Sequence, residues 1–269
     1  MVLPDDKKIY FLSDFHLGAP DHASSLEREK IIVRFLDEIK TNAAEIFLVG
    51  DMFDFWYEYK KVVPKGYTRL LGKLAELSDA GIPLHFFAGN HDMWMKDYFL
   101  KEFNIPVYFE PKEFERSGKK FLIAHGDGLG PGDHGYKRLK KFFRNPACKW
   151  MFGVLPPIFG MGLAHYLSRR SRAQTGATEE IFLGEDKEWL IIYSKEILKK
   201  KYFDFFVFGH RHLAIDYRLI PLSERRGEGG EARYINLGDW IHYFTYAVFD
   251  GEKLELKSYT GKDDKIIRK

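Results

Sequence analysis

The sequence predicts an α/β fold, a two-sheet sandwich with helices outside. Short apolar runs alternate with amphipathic helical patterns through its first part, and after Arg211 the chain turns mostly to strands. Helices interleaved with strands, followed by a strand-rich end, suit two stacked sheets covered by helices.

The first run, Ile9-Tyr10-Phe11-Leu12, reads as a buried strand. Ser24-x-x-Glu27 fits a capping box ahead of Leu26, Ile31, Phe35, Leu36 and Ile39, which predicts a helix. Ile46-Phe47-Leu48-Val49 is the next strand. A second helix is expected from near Tyr67 to Asp79, stopping at Gly81-Ile82-Pro83. Leu84-His85-Phe86-Phe87 and Phe121-Leu122-Ile123-Ala124 follow as strands. A helix over roughly Asp186 to Lys200 leads to the strand Phe205-Phe206-Val207-Phe208. Ile215 to Leu219, Tyr234 to Leu237, Thr245 to Phe249 and Leu254 to Leu256 complete the strands, and Ser223 to Glu231 is expected to be an exposed hairpin loop.

At 269 residues the chain is long enough for one large domain carrying an insertion. We read a single domain over 1–269 with a helical cap inserted at 130–182. The apolar and charged fractions are ordinary for a soluble globular protein, and no collagen-like, coiled-coil or solenoid repeat is present. Met1 to Lys8 contains no apolar signal core, and the single Cys148 permits no internal disulfide. Both predict a cytoplasmic, reducing compartment, with Cys148 a packing residue.

Five motifs sit just after five of the strands: Asp14-Phe15-His16, Gly50-Asp51-Met52-Phe53-Asp54, Gly89-Asn90-His91-Asp92, His125-Gly126-Asp127 and Gly209-His210-Arg211-His212. Ligands in an open α/β sheet bind at that strand edge. Imidazole with carboxylate suits Zn, Mn, Fe or Ni, whereas Mg and Ca sites are built from oxygen. The period of two in Asp14-x-His16 is expected to put both side chains on one face of an extended strand, and His210-x-His212 repeats that device. The Gly before each of Asp51, Asn90 and His210 allows a tight approach to a metal. Asp54, Asp92 and Asp127 are as readily turn residues as functional ones. His22, His85, His134, His165 and His242 lie outside the motifs and read as ordinary surface or core histidines.

Together the five motifs resemble the calcineurin-like metallophosphoesterase superfamily. The resemblance implies a four-layer α/β/β/α metallophosphoesterase sandwich and phosphate-ester hydrolysis at two divalent metals, with Mn expected and Zn or Fe compatible. It implies that Asp14, His16 and His212 hold one metal, that Asn90, His125 and His210 hold the other, and that Asp51 bridges them. A water shared by metals about 3.5–4 Å apart has its pKa lowered from 15.7 toward roughly 7. His91 is the implied catalytic residue, acting on the leaving group with an effect of roughly 10²–10⁴ in rate. Asp54 and Asp92 are expected to orient the imidazoles from behind. Asn236-Leu237-Gly238-Asp239 resembles a segment that closes the same fold, with Asp239 structural.

From Asp133 to Arg172 there are nine Lys or Arg and one acid, so the whole chain's net charge of +3 leaves the remainder acidic. Between two basic clusters runs Trp150 to Ala164, almost wholly apolar. A membrane-spanning helix needs about 20 apolar residues, and Pro156-Pro157 with three Gly break this run. A pair of short helices is expected, with an exposed apolar face and basic flanks that touch an anionic membrane surface. The simpler reading makes these residues the core of a small helical subdomain with a solvated basic rim. An apolar slot bounded by cations over a strand edge suits a substrate with lipid tails and phosphates.

His125-Gly126-Asp127-Gly128-Leu129-x-x-x-Asp133-x-x-Tyr136, Arg144-Asn145-Pro146 and Ser168-Arg169-Arg170-Ser171 are similar to the cap of the UDP-2,3-diacylglucosamine diphosphatase family of lipid A synthesis. The similarity extends from Ile9 to about Tyr246. It implies attack of water on the α-phosphorus of UDP-2,3-diacylglucosamine, giving UMP and 2,3-diacylglucosamine 1-phosphate, at the cytoplasmic face of the inner membrane. Asp133 and Ser171 match positions that contact the glucosamine phosphate, and Asn90, His91 and His210 approach the substrate. Thr175 and Thr178 stand where better-known members have Asn and Lys, with Arg172 and Gln174 as substitutes. His91 stands where many members have Arg. The residues also leave open another phosphodiesterase or phosphatase of the superfamily. A non-catalytic platform should lack ligands, and none is missing. A nucleic-acid enzyme would show aromatic platforms along its basic track, so no nucleic-acid partner is expected.

Overall fold

The chain runs β1 (Lys8–Leu12), α1 (His22–Ile39), β2 (Ala43–Leu48), α2 (Thr68–Asp79), β3 (Leu84–Phe87), α3 (Tyr98–Phe103), β4 (Val107–Tyr108), β5 (Lys112–Arg116) and β6 (Lys119–Ile123). Then come α4 (His134–Arg144), α5 (Pro146–Val154) and α6, helical at 157–164 and 166–168. The remainder is α7 (Trp189–Leu198), β7 (Phe205–Phe208), β8 (Ala214–Leu219), β9 (Ala232–Leu237), β10 (Thr245–Phe249), β11 (Leu254–Ser258) and β12 (Ile267–Arg268). This computed structural model describes all residues except 1, 133, 165, 169–180, 220–230 and 262.

Side-chain alternation along the strands dictates how the layers stack. In β1, Ile9 and Phe11 point inward and join Phe47, Val49, Phe121, Val207 and Ile235 between the sheets. Tyr10 and Leu12 point the other way, under Phe35 and Leu36 of α1 and Leu70 and Leu74 of α2. In β7, Phe205 and Val207 face the partner sheet, while Phe206 and Phe208 pack against Leu190 and Ile191 of α7. The result is helix, sheet, sheet, helix. Each large apolar side chain buried in this way contributes about 1.5–3 kcal/mol, and stacked Phe11 and Phe47, 5.0 Å apart, add an aromatic contact at the centre.

The first sheet has the order β11-β10-β1-β2-β3-β4 and the second β12-β8-β9-β7-β6-β5. Within them β1, β2 and β3 are mutually parallel, as are β6, β7 and β9. The loops after these six strands meet at one edge of the sandwich, where the His210 amide bonds to Asp14 and His125 faces Asp51. At the edge strand β5, Arg116 donates two hydrogen bonds of 2.7 Å to buried Glu45 of β2, a clamp from one sheet to the other.

Helix α1 begins one turn earlier than the Ser24 capping box predicts. The cap is Asp21, whose carboxylate accepts from the Ser24 amide at 2.9 Å and from its hydroxyl at 2.8 Å, while Glu27 pairs with Lys30 on the surface. Helix α7 starts at Trp189 because Asp186 lies in a preceding turn. Elements without an apolar signature escape the sequence reading: β4 and β12 are two residues long, and β5 is a charged edge strand. Strands β8 and β9 pair antiparallel up to Leu219 opposite Ala232, so a hairpin joins them as expected, but its loop lies outside the described residues.

The apolar run from Trp150 breaks where the two prolines stand: α5 ends at Val154 and α6 begins at residue 157. Asn145 caps α5 by accepting from the Ala147 amide at 2.8 Å, with Pro146 in the first turn, so Arg144-Asn145-Pro146 is the corner between α4 and α5. Among the described residues no helix is long and apolar enough to cross a membrane.

Candidate metal centre

Asp14 and His16 do not lie on an extended strand. Strand β1 ends at Leu12, and Asp14 and His16 have left-handed backbone with φ of 56° and 43°. Asp51, His210 and His212 share that conformation, at 55°, 69° and 55°. Left-handed backbone is costly for residues with a Cβ and persists where the surroundings enforce it. The enforcement is visible: buried Arg28 of α1 donates to the carbonyls of Phe15 (2.7 Å) and His16 (2.8 Å), and buried Arg211, between the two histidines, forms an ion pair with buried Glu188 at 2.7 Å. The alternation expected of a strand is thus replaced by tight turns that aim both residues of each pair at one point.

Of the three glycines before site residues, Gly50 alone has a positive φ, 87°. Gly89 and Gly209 are needed for closeness: a Cβ on Gly89 would collide with the Asp51 carboxylate, and one on Gly209 with Ser13 and Asp14.

Two clusters of donor atoms share Asp51. In the first, Asp14 Oδ1 lies 3.6 Å from His16 Nε2 and 3.5 Å from His212 Nε2, and the two imidazole nitrogens are 3.2 Å apart. In the second, His125 Nε2 is 3.3 Å from Asp51 Oδ2 and 3.2 Å from Asn90 Oδ1, with the His210 ring 5.2 Å from that of His125. Asp51 Oδ2 is also 3.7 Å from His16 Nε2. Asp14, His16, His212 and Asp51, His125, His210 each present ligand atoms within 4.8 Å of one another, as do His16, Asp51 and His91.

The chemistry of these atoms fits metal ions. Asp14 Oδ2 is satisfied by the His210 amide and by Ser13, whereas Oδ1, fully buried, has no hydrogen-bond partner. A buried carboxylate oxygen in that state calls for a cation. Ligands about 2.0–2.2 Å from one ion stand roughly 3–3.6 Å from each other, which is the spacing among Asp14, His16 and His212 and of His125 from Asp51 and Asn90. The histidine tautomers agree: His125 Nδ1 donates to the Val49 carbonyl at 2.9 Å, leaving Nε2 free to ligate. Burial pulls His16 and His210 down to about 4, so both are neutral and ligand-ready at pH 7. Burial would lower His125 too, but the adjoining Asp51 carboxylate outweighs it and raises the ring to about 10, so the Nε2 proton facing Asp51 is one that a bound cation would have to displace. The buried floor and part-exposed Asn90, His91, His210 and His212 make a site open on one side.

His91 borders both clusters. Its amide donates to Asp51 Oδ1 at 2.9 Å, and its Nδ1 donates to the Asp54 carbonyl at 2.9 Å. The Asp54 carboxylate is 3.5 Å from the same ring nitrogen and accepts from Ser168 Oγ at 3.0 Å. Asp54 therefore orients His91 largely through its backbone. Asp92 does not touch an imidazole as expected. Buried in the floor, it accepts from the amides of Gly89 (2.7 Å) and Met52 (3.0 Å), tying together the loops after β2 and β3. Asp127 accepts from Tyr136 and Lys140 of α4, each at 2.7 Å, and so fixes the inserted helices to the His125 loop.

Sequence reasoning missed Arg28 and the Arg211–Glu188 pair, and named Ser168 in a motif without its contact to Asp54. Charged residues inside helical or apolar surroundings were the available signal. Asp133, Ser171, Arg172 and Thr175, expected to contact substrate, lie outside the described residues, as do Gln174 and Thr178.

Among its described residues the insertion does not close on a small apolar core of its own. Phe152 and Ala164 are buried against Tyr57 and Trp94 of the sandwich, but Trp150, Met151, Val154, Ile158, Phe159 and Leu163 are exposed, Ile158 by 78%. Helix α4 is turned the same way: Lys140 pairs with Asp127 and Arg144 with Glu110, while Leu139 and Phe142 face out. Part of the expected cationic rim thus forms internal pairs, and the outward side of α4 carries Leu139 and Phe142 beside exposed Arg138 and Lys141.

The family model for calcineurin-like phosphoesterase matches residues 7–214. The chain is 40% identical over 263 residues to a protein of Porphyromonas gingivalis named UDP-2,3-diacylglucosamine hydrolase, covering 93% of this chain and 97% of that one. Proteins with the same name from Pseudomonas paraeruginosa and Aeromonas hydrophila are 28% and 27% identical, each over 86% of this chain and 90% of theirs.

Proposed function

The chain belongs to the calcineurin-like phosphoesterase family, and we propose that it hydrolyses the pyrophosphate bond of UDP-2,3-diacylglucosamine. The products are UMP and 2,3-diacylglucosamine 1-phosphate, a step of lipid A biosynthesis. The observation that carries the lipid substrate is the inside-out insertion: helices anchored by Asp127 and Phe152 next to the donor clusters turn large apolar side chains to solvent. Patches of that kind mark lipid or partner surfaces. Relatives of that name, matched along nearly their whole length, support the same reading.

Asp14, His16 and His212 would hold one divalent ion, Asn90, His125 and His210 the second, with Asp51 Oδ2 shared; Mn suits the set, as do Zn and Fe. Bound metals of this kind supply an acidified water and neutralise charge on the phosphates. His91 acts on the leaving phosphate oxygen. With Nδ1 engaged by the Asp54 carbonyl, Nε2 is the nitrogen that faces the reaction, and a proton held there offsets the charge that develops as the bond breaks. Asp92 and Asp54 keep the two loops in register behind it. Asn90 and His210, part-exposed at the rim, meet the substrate phosphates, with Asp133, Ser171, Arg172 and Thr175 as further contacts.

The exposed faces of α5 and α6 rest at the cytoplasmic surface of an anionic inner membrane, where the diacyl substrate resides. Trp150, Ile158 and Phe159 enter the interface and the remaining basic residues meet lipid phosphates.

Purified protein supplied with Mn²⁺ and assayed against UDP-2,3-diacylglucosamine and simple nucleotide diesters tests the substrate. Turnover of the lipid nucleotide should exceed that of the diesters by orders of magnitude; faster cleavage of the diesters would identify another phosphodiesterase of the family instead.

A further inference from the structure

The loop after β9 carries a carboxylate that touches a proposed metal ligand from behind. Asp239 is fully buried, and its Oδ1 accepts from the amides of Ile241 (3.1 Å), His242 (2.8 Å) and Tyr243 (3.2 Å). With that oxygen fixed by three backbone donors, Oδ2 is left facing two imidazoles: His212 Nδ1 at 3.3 Å and His242 Nδ1 at 3.1 Å. The next residue ties the same loop to Asp14, since the Trp240 amide donates to the Asp14 carbonyl at 3.1 Å.

We propose that Asp239 is a positioning residue for the metal held by Asp14, His16 and His212. Its Oδ2 accepts the Nδ1 proton of His212, which fixes the ring and leaves the Nε2 lone pair directed at Asp14 Oδ1 and His16 Nε2, 3.5 and 3.2 Å away. A carboxylate behind a ligating imidazole raises its basicity as well as aiming it. His125 has its Nδ1 on the Val49 carbonyl, a neutral acceptor, so His212 and His125 differ in the charge of the acceptor behind them. The more exposed His242 shares Oδ2 but belongs to none of the donor clusters among the described residues; it is a second occupant of the carboxylate and not a ligand. This assignment rests on the binuclear reading given above.

The test is Mn²⁺ titration of metal-free protein, with stoichiometry and affinity read for the wild type, Asp239→Asn and His242→Ala. Wild type should bind two ions. Asp239→Asn should keep one at wild-type affinity and bind the other about 10–100-fold more weakly, while His242→Ala should bind both within about twofold of wild type. Two ions at wild-type affinity in Asp239→Asn would overturn the role of Asp239, as would equal weakening in His242→Ala. A wild type that binds a single ion would instead overturn the binuclear reading. Should Asp239→Asn fail to fold, long-range ¹H–¹⁵N spectra of the wild-type histidines decide: the Nδ1–H tautomer of His212 supports the proposal, and the Nε2–H tautomer overturns it.

Discussion

The backbone amide of His91 holds Oδ1 of Asp51 at 2.9 Å, which leaves Oδ2 as the oxygen that faces both His16 and His125. One residue thus serves the site twice, with its amide on the shared carboxylate and its ring at the rim. The two duties separate on mutation. His91→Ala keeps the amide, so metal content should stay at two ions while kcat falls about 10²–10⁴-fold. Wild-type turnover in that variant would remove the ring from the reaction.

Gly89→Ala makes the complementary change. A methyl group there would press on Asp51 Oδ1 and on the Asp51 amide, displacing the carboxylate whose other oxygen both clusters share. Metal analysis after dialysis should find both ions reduced, with the far-ultraviolet circular dichroism of the wild type retained. Full loading would mean that the loop yields easily and that its closeness is not required.

The apolar face of α5 and α6 is tested by Ile158→Asp combined with Phe159→Asp. Both side chains are largely exposed, so the fold should be unaffected. Burying each in lipid is worth about 1.5–3 kcal/mol, and co-sedimentation with phosphatidylglycerol vesicles should fall by a factor of ten or more. Turnover of a soluble short-chain substrate should be unchanged. Equal vesicle binding by variant and wild type would restrict that face to another role.

Glu45 gives a prediction on pH. Burial by itself would raise its pKa, but hydrogen bonds from Arg116 and His85 outweigh that and hold it below the usual range. A carboxylate so depressed stabilises the fold at pH values above the unfolded pKa of about 4.3, and that contribution is lost as pH falls through the lower folded value. Glu45→Gln should cost roughly 1–3 kcal/mol at pH 7 and flatten the fall in Tm below pH 4. An unchanged acid limb would locate acid sensitivity elsewhere.

The layered fold was legible because strands buried on both faces read as short unbroken apolar runs, as in Ile9 to Leu12 and Phe205 to Phe208. Proposed ligands were legible because histidines and acids clustered at strand ends have few other uses. What stayed hidden depends on contacts between residues distant in sequence. Nothing near Asp92 says that it accepts two amides instead of backing an imidazole, and nothing near Ser168 says that it lies on Asp54, 114 residues away. Asp14-x-His16 was read as a strand because spacing carries no sign of φ; left-handed turns enforced by Arg28 achieve the same convergence. Exposure in the insertion was visible only as an ambiguity, since an apolar run looks the same whether it faces a core or a membrane.

Hydrolysis of a lipid-linked pyrophosphate by water at the α-phosphorus is decided by turnover of UDP-2,3-diacylglucosamine in H₂¹⁸O followed by mass spectrometry of both products. UMP should carry one ¹⁸O and 2,3-diacylglucosamine 1-phosphate none. Label in the lipid phosphate, or no cleavage by metal-loaded protein, would contradict it.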